Sequence, residues 1–117
     1  MEKATIQKEN AYAPPEHFGC SCMKVQGTEE TGLKKFWQGV SIFAPDGGAN
    51  WQYGEGTFGA DKEKTYFVLE GQITVENEAG EKFVLDKYDS VSMLPFEKRK
   101  MWNSAEVEAK VVVTISY

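Results

Sequence analysis

The chain's first group of residues equipped for chemistry is the run His17-Phe18-Gly19-Cys20-Ser21-Cys22. An imidazole and two thiols this close together could hold a zinc ion if a fourth donor joined them. Structural zinc knuckles place two residues between their cysteines, however, and here there is one. The competing reading is two small, half-buried residues on a strand beside a solvated histidine. On an extended strand Cys20 and Cys22 point the same way, roughly 7 Å apart by strand rise. That is too far for an unstrained disulfide, so two free thiols are expected, as in a reducing compartment. A second cluster, Lys98-Arg99-Lys100, is the only basic triplet. Its plainest reading is a solvated strand end.

The elements that must position such groups follow from composition and punctuation. With 117 residues, 41% of them hydrophobic and 13% aromatic, the chain is long enough for one domain with a core of its own. A net charge of −5 argues against a general nucleic-acid binder, which needs a basic face. No apolar stretch is long enough to span a membrane. The opening MEKATIQKEN has no secretory core, so a cytoplasmic protein is expected. Residues 1–16, ending in Ala13-Pro14-Pro15, read as an N-terminal arm, because Pro-Pro enters neither a helix nor a central strand. Residues 17–117 read as one β domain.

Within that domain, Lys64 to Glu76 organises the rest. Thr65-Tyr66-Phe67-Val68-Leu69 and Ile73-Thr74-Val75 are β-forming runs on either side of Glu70-Gly71, which predicts two strands joined by a tight turn. The first run lacks clean alternation, which predicts a central strand covered on both faces. Pro45-Asp46-Gly47-Gly48 is the strongest turn signal in the chain. Asn50 to Phe58 reads as extended, with Trp51, Tyr53, Glu55 and Thr57 on one face unless a bulge intervenes. Further strands are expected near residues 18–26, 33–43, 81–85, 90–94, 98–104 and 107–116. No stretch keeps helical spacing over three turns. Strands about every ten residues, with turns between, mean an all-β sandwich or barrel.

Tyr66-Phe67-Val68-Leu69-Glu70-Gly71-Gln72-Ile73-Thr74-Val75 resembles the Y-V-L-E-G-E strand pair of the cupin superfamily. Gly80, Leu85, Asp89, Pro95 and Asn103 follow at cupin spacing, and Asp89, Pro95 and Asn103 match the second motif. The resemblance covers about residues 33–117. It implies a cupin-type double-stranded β-helix, the jelly-roll barrel, in a single domain. Trp102 before Asn103, together with the missing histidines, is similar to the ethanolamine-utilisation cupins.

The same resemblance marks four metal-ligand positions. Here they hold Lys64, Arg99 and either Thr57 with Gly59 or Phe58 with Ala60. Ammonium and guanidinium offer no free lone pair, so no metal and no cofactor are expected in the barrel. If Lys64 and Arg99 point inward as the family's ligands do, two cations replace the metal and require a counter-anion. Glu55, Asp61 or Glu63 would supply it as an internal salt bridge, or a bound carboxylate or phosphate would.

Tyr66, Trp51, Tyr53, Phe58 and Trp102, with Asn103, would line such a pocket; core or dimer packing is the alternative for the aromatics. The leading expectation is a metal-free cupin binding a small anionic or carbohydrate-like metabolite. A metal-independent isomerase or epimerase, lyase or cyclase is the second, with Lys64, Tyr66 and Glu55 as acid–base candidates. A non-catalytic interaction protein with a plugged barrel is the third. A homodimer is expected, because the outward set Thr65, Phe67 and Leu69 is apolar and needs cover.

Overall fold

The computed structural model describes residues 1–117. Eight strands form the chain: β1 (His17–Gln26), β2 (Phe36–Gln52), β3 (Lys64–Glu70), β4 (Ile73–Asn77), β5 (Lys82–Leu85), β6 (Ser90–Met93), β7 (Arg99–Trp102) and β8 (Ala109–Ser116). The only helical pieces are a 3-10 turn at Lys8–Asn10 and one turn, α1 (Thr28–Thr31), closed by Gly32 in the left-handed region. All ladders are antiparallel. The order β5-β4-β7-β2-β8-β3-β6, with β1 on the free side of β2, is a nearly closed jelly-roll barrel.

The long strand β2 joins the two halves of the barrel. Its first part, Phe36 to Phe43, pairs with β8, and its last part, Gly48 to Gln52, pairs with β7. The expected turn at Pro45–Gly48 is a corner inside this strand and does not reverse the chain. Asp46 takes a φ of 63°, and the backbone of Asp46 and Gly47 bonds to Asn103 at 2.9 and 2.8 Å. Gly47 is required there, since an added Cβ would stand 2.2 Å from the Gly19 carbonyl oxygen.

The turn at Gly71 (φ 76°) is present, but β3 and β4 do not pair with each other. β3 lies between β8 and β6, and β4 between β7 and β5, so Glu70-Gly71 carries the chain from one sheet to the other. β3 is central, as expected. Its burial nevertheless alternates: Lys64, Tyr66 and Val68 face inward, while Thr65 and Leu69 face solvent and Phe67 is half covered beside Tyr88. β8 alternates likewise, burying Ala109, Val111, Val113 and Ile115.

The apolar core, which includes Phe43, Val68, Ile73, Val75, Met101 and Val111, fills one end of the barrel. The other end is hollow. The extended segment expected over Asn50–Phe58 stops at Gln52, and residues 54–62 form successive turns over the hollow end (Thr57 N to Gly54 O 3.1 Å, Ala60 N to Thr57 O 3.2 Å, Lys62 N to Gly59 O 3.3 Å).

Candidate functional site

The hollow end encloses a cavity of about 960 Å³, within the range of small-molecule sites. β3 sends Lys64 and Tyr66 into its wall, and β7 sends Arg99. A register shift in the β2–β7 ladder between Ala49 and Gln52 leaves Asn50 and Trp51 out of the pairing. That shift turns the Asn50 carbonyl and the Gln52 side chain toward Arg99. It also decides the aromatics: Tyr53 lines the cavity and Trp51 does not.

Lys64 and Arg99 are both 2% exposed. Arg99 donates from Nε to the Tyr66 hydroxyl (2.9 Å), from Nη1 to Asn50 O (3.1 Å) and from Nη2 to Gln52 Oε1 (3.0 Å). Lys64 Nζ donates to Lys62 O at 2.7 Å. The Tyr53 ring serves both cations, with Nζ 4.1 Å and the guanidinium carbon 4.7 Å from its centre. Such contacts are worth about 0.5–2 kcal/mol each and do not neutralise charge.

Neither cation has a carboxylate at ion-pair distance. Asp61 pairs with Lys62 at 3.3 Å, and Glu55 and Glu63 pair with nothing. The internal salt bridge is absent. Around the whole wall, Lys24, Lys62, Lys64 and Arg99 face a single carboxylate, Asp61.

The titration of the site follows from this. Burial, and next the Arg99 charge, lowers Lys64 to about 8. Burial pushes the Tyr53 phenol up to about 12, so it stays protonated. Tyr53 also holds a φ of 70°, strained for an aromatic residue. Gly59 packs behind its ring, where an added Cβ would come within 3.3 Å.

The fold places the candidate residues in two groups. Lys64, Arg99, Tyr53, Tyr66 and Phe58 line the cavity, with Phe58 fully exposed at the mouth. Trp51, Trp102, Glu55 and Asn103 stand outside it. Trp51 and Trp102 lie on the outer surface, under the Lys98, Lys100 and Lys82 side chains. Asn103 is fully buried, and its amide donates to Phe43 O and Val107 O at 3.2 and 2.8 Å. Asn103 thus pins the β2 corner to the loop before β8.

Sequence reasoning missed Gln52, Tyr12 and Ser41, which also line the wall. The arm reaches Tyr12 by a two-bond bridge to Cys22 (3.0 and 2.8 Å). Cys22 lines the cavity too, 3.1 Å from Ser41 Oγ. The Cys20 and Cys22 sulfurs are 3.6 Å apart, because the side chains lean together across a longer backbone separation. Both thiols are free. The contact holds Cys20 protonated and draws Cys22 down to about 7. No third histidine, cysteine or carboxylate joins them.

The ligand positions of the metal-binding cupins do not fit a metal in this chain. Two hold Lys64 and Arg99, which are mainly protonated at neutral pH and repel a metal cation. Of the remaining pairs, Gly59 and Ala60 have no donor and Phe58 is apolar. The Thr57 hydroxyl is bonded to Gly54 O at 2.6 Å.

No family model matches the chain. A protein of Mycobacterium tuberculosis named beta-D-galactosidase is 31% identical over 117 residues, covering all of this chain and 95% of its own. Among solved structures, the polyketide cyclase RemF from Streptomyces resistomycificus superposes with a TM-score of 0.78 at 15% identity, covering 99% of this chain and 80% of its own. KdgF from Halomonas sp. gives 0.69 at 17% identity, over 84% and 78% of the two chains. A cupin 2 conserved barrel domain protein from Salinispora arenicola gives 0.76 at 11%, over 98% and 87%.

Proposed function

The chain belongs to the cupin superfamily, and from that premise we propose that its barrel binds a small organic anion between Arg99 and Lys64 without a metal or cofactor. The observation that carries this reading is two buried cations facing a cavity with no carboxylate paired to either. Uncompensated buried charge costs several kcal/mol, so the two cations call for a counter-anion that the protein's own side chains do not supply. Donors remain for that anion. Three of the five N–H groups of Arg99 and one of the three of Lys64 are used inside the protein. Tyr53, Tyr66 and Phe58 give an aromatic wall suited to a ring or a sugar face.

Residues 1–16 act as an arm over the mouth, with Tyr12, Pro14 and Pro15 as its lining, while residues 17–117 form the barrel. The protein works in a reducing cytoplasm, where Cys20 and Cys22 stay free. It pairs as a homodimer through outer apolar residues such as Leu69 (39% exposed) and Val84 (54%). No helix is long and apolar enough to cross a membrane.

Thermal melting against a panel of carboxylates, sugar acids and sugar phosphates tests the anion reading. A rise in melting temperature that disappears in Arg99→Met supports it, and a flat panel with the intact protein rejects it. The full-length relative's name raises glycoside hydrolysis as a second reading. Most glycosidases place a pair of carboxyl groups across the scissile bond. Asp61 is the one carboxylate in this wall, and Lys62 holds it. Turnover of a nitrophenyl galactoside that is lost in Asp61→Asn would favour that second reading.

A further inference from the structure

Lys64 is more than a fixed charge. Its amine stands in the cavity wall without an acid partner, held by one backbone carbonyl and the face of Tyr53. Arg99 shares that ring face or its opposite. Distances of 4.1 and 4.7 Å to one ring centre put the amine and the guanidinium carbon no more than about 8.8 Å apart. A carboxylate on the free Arg99 donors occupies about 3 Å of this span, and an attack distance of about 3–3.5 Å occupies as much again. The separation can only be that or less, so only an acid whose carbonyl carbon stands close to its carboxylate can meet both groups at once.

We infer that Lys64 is a nucleophile that condenses with the carbonyl of a short oxo acid whose carboxylate rests on Arg99. The inference rests on the anion-binding reading and names its substrate class. The Nζ lone pair adds to the carbonyl carbon as the carbonyl π pair moves to oxygen, and one N–H proton passes from nitrogen to that oxygen to give a carbinolamine. Loss of one water then leaves a carbon–nitrogen double bond. The step needs no oxidant, reductant or cofactor.

The surroundings suit it. With Lys64 lowered to about 8 by burial, then by Arg99 and Lys62 against the opposing pull of Asp61, about one molecule in ten carries a free amine at pH 7. An exposed lysine at its ordinary value offers well under one in a thousand. Burial keeps the Tyr53 phenol protonated, so the amine stands over a neutral ring and has no phenolate to pair with. Lysines activated by desolvation next to a second cation are a known route to such chemistry.

The test treats the full chain with glyoxylate and sodium cyanoborohydride, which reduces the imine to a stable amine. Each event adds the mass of the acid less one oxygen atom. Peptide mapping then ranks all the lysines, and Arg99 is the chain's single arginine. The expected result is labelling of Lys64 at least tenfold faster than the mean of the others. Arg99→Met should slow Lys64 at least tenfold and leave the surface lysines unchanged. Acetaldehyde, which has no carboxylate, should show a weaker Arg99 dependence than glyoxylate, limited to the part that the Arg99 charge exerts by lowering Lys64.

Labelling of Lys64 no faster than surface lysines would overturn the inference, as would selective labelling that survives Arg99→Met. Since the other lysines of the intact protein are the control, the result does not depend on a Lys64 variant folding. If glyoxylate raises the melting temperature but Lys64 is not labelled, the imine falls and anion binding stands. If it does neither, and the wider panel is flat as well, both fall.

Discussion

Replacing Arg99 by Met separates a binding site from a plug, because the two make opposite demands on stability. The side chain keeps most of its length and loses its charge. Three bonds disappear, to the Tyr66 hydroxyl, Asn50 O and Gln52 Oε1. Hydrogen bonds from a charged donor contribute about 1.5–3 kcal/mol each, so their loss alone would be severe. The same change removes an unpaired buried cation, which is worth several kcal/mol in the other direction. The two terms offset, and the ligand-free variant should fall within about 2 kcal/mol of the parent.

Ligand response does not offset in this way. At 100 times its Kd a ligand stabilises the parent by about 2.7 kcal/mol. With an unfolding entropy of about 2.1 cal/mol/K per residue, 117 residues convert that into a rise of about 11 °C. In Arg99→Met the rise should shrink below about 2 °C. Scanning calorimetry of both proteins, with and without the best anion of the panel, reads all four quantities. A variant destabilised by more than about 4 kcal/mol, in a parent that no anion stabilises, would refute the reasoning and indicate a structural role for Arg99.

Lys64 gives a pH signature. Its folded value, about 8, lies below the ordinary 10.5, so between those values the unfolded chain holds the extra proton and stability rises with pH. The gain over that window should be about 1–3 kcal/mol and should vanish in Lys64→Met. Above pH 10 Tyr53, raised to about 12, opposes it, since the unfolded chain then releases its proton first. Chemical denaturation at half-unit steps from pH 7 to 11.5 checks both slopes.

Asn103→Ala should cost about 2–4 kcal/mol and leave anion binding intact, because it strands Phe43 O and Val107 O away from the cavity. Urea denaturation beside a ligand titration separates the two effects. Elemental analysis should find no transition metal held by the barrel. One iron, manganese, nickel or zinc per chain that is lost on changing residues 57–60, Lys64 or Arg99 would contradict the donor chemistry.

Much of the fold was legible in the chain because strand runs and turn residues are local signals. Pairing is not local. Glu70-Gly71 announces a tight turn, but nothing in those residues says whether the flanking strands meet or separate into two sheets. Pro45-Asp46-Gly47-Gly48 likewise announces a change of direction, and the same chemistry serves a reversal or a corner. What makes it a corner is the pair of backbone bonds to Asn103, more than fifty residues away. The aromatic wall was misassigned for a related reason. One register shift at Ala49–Gln52 moves Trp51 out and lets Gln52 and Tyr53 turn in. Glycine-rich composition made a bulge plausible without locating it. Lys64, by contrast, was placed by its ligand position in the family pattern, and the alternation through Tyr66 and Val68 agrees.

The site makes sense as an inversion of the metal-binding cupin arrangement. In those barrels a cation sits at the centre and the protein supplies lone pairs. Here the protein supplies the positive charge itself, at two of the same positions, and the proposed ligand supplies the lone pairs. Tyr53, held at a strained positive φ, is the ring that faces both Lys64 and Arg99. The inversion explains the scarcity of acid in the wall. A carboxylate pointing inward would satisfy the cations permanently and close the site. The sole candidate, Asp61, is diverted to Lys62 on the outer turn. A substitution that places a new carboxylate inside the wall should therefore do what the ligand does. Ser41→Asp is such a change, on a buried cavity-lining position of β2. It should weaken anion binding more than tenfold by like-charge repulsion alone. If it leaves affinity unchanged, the ligand is not an anion.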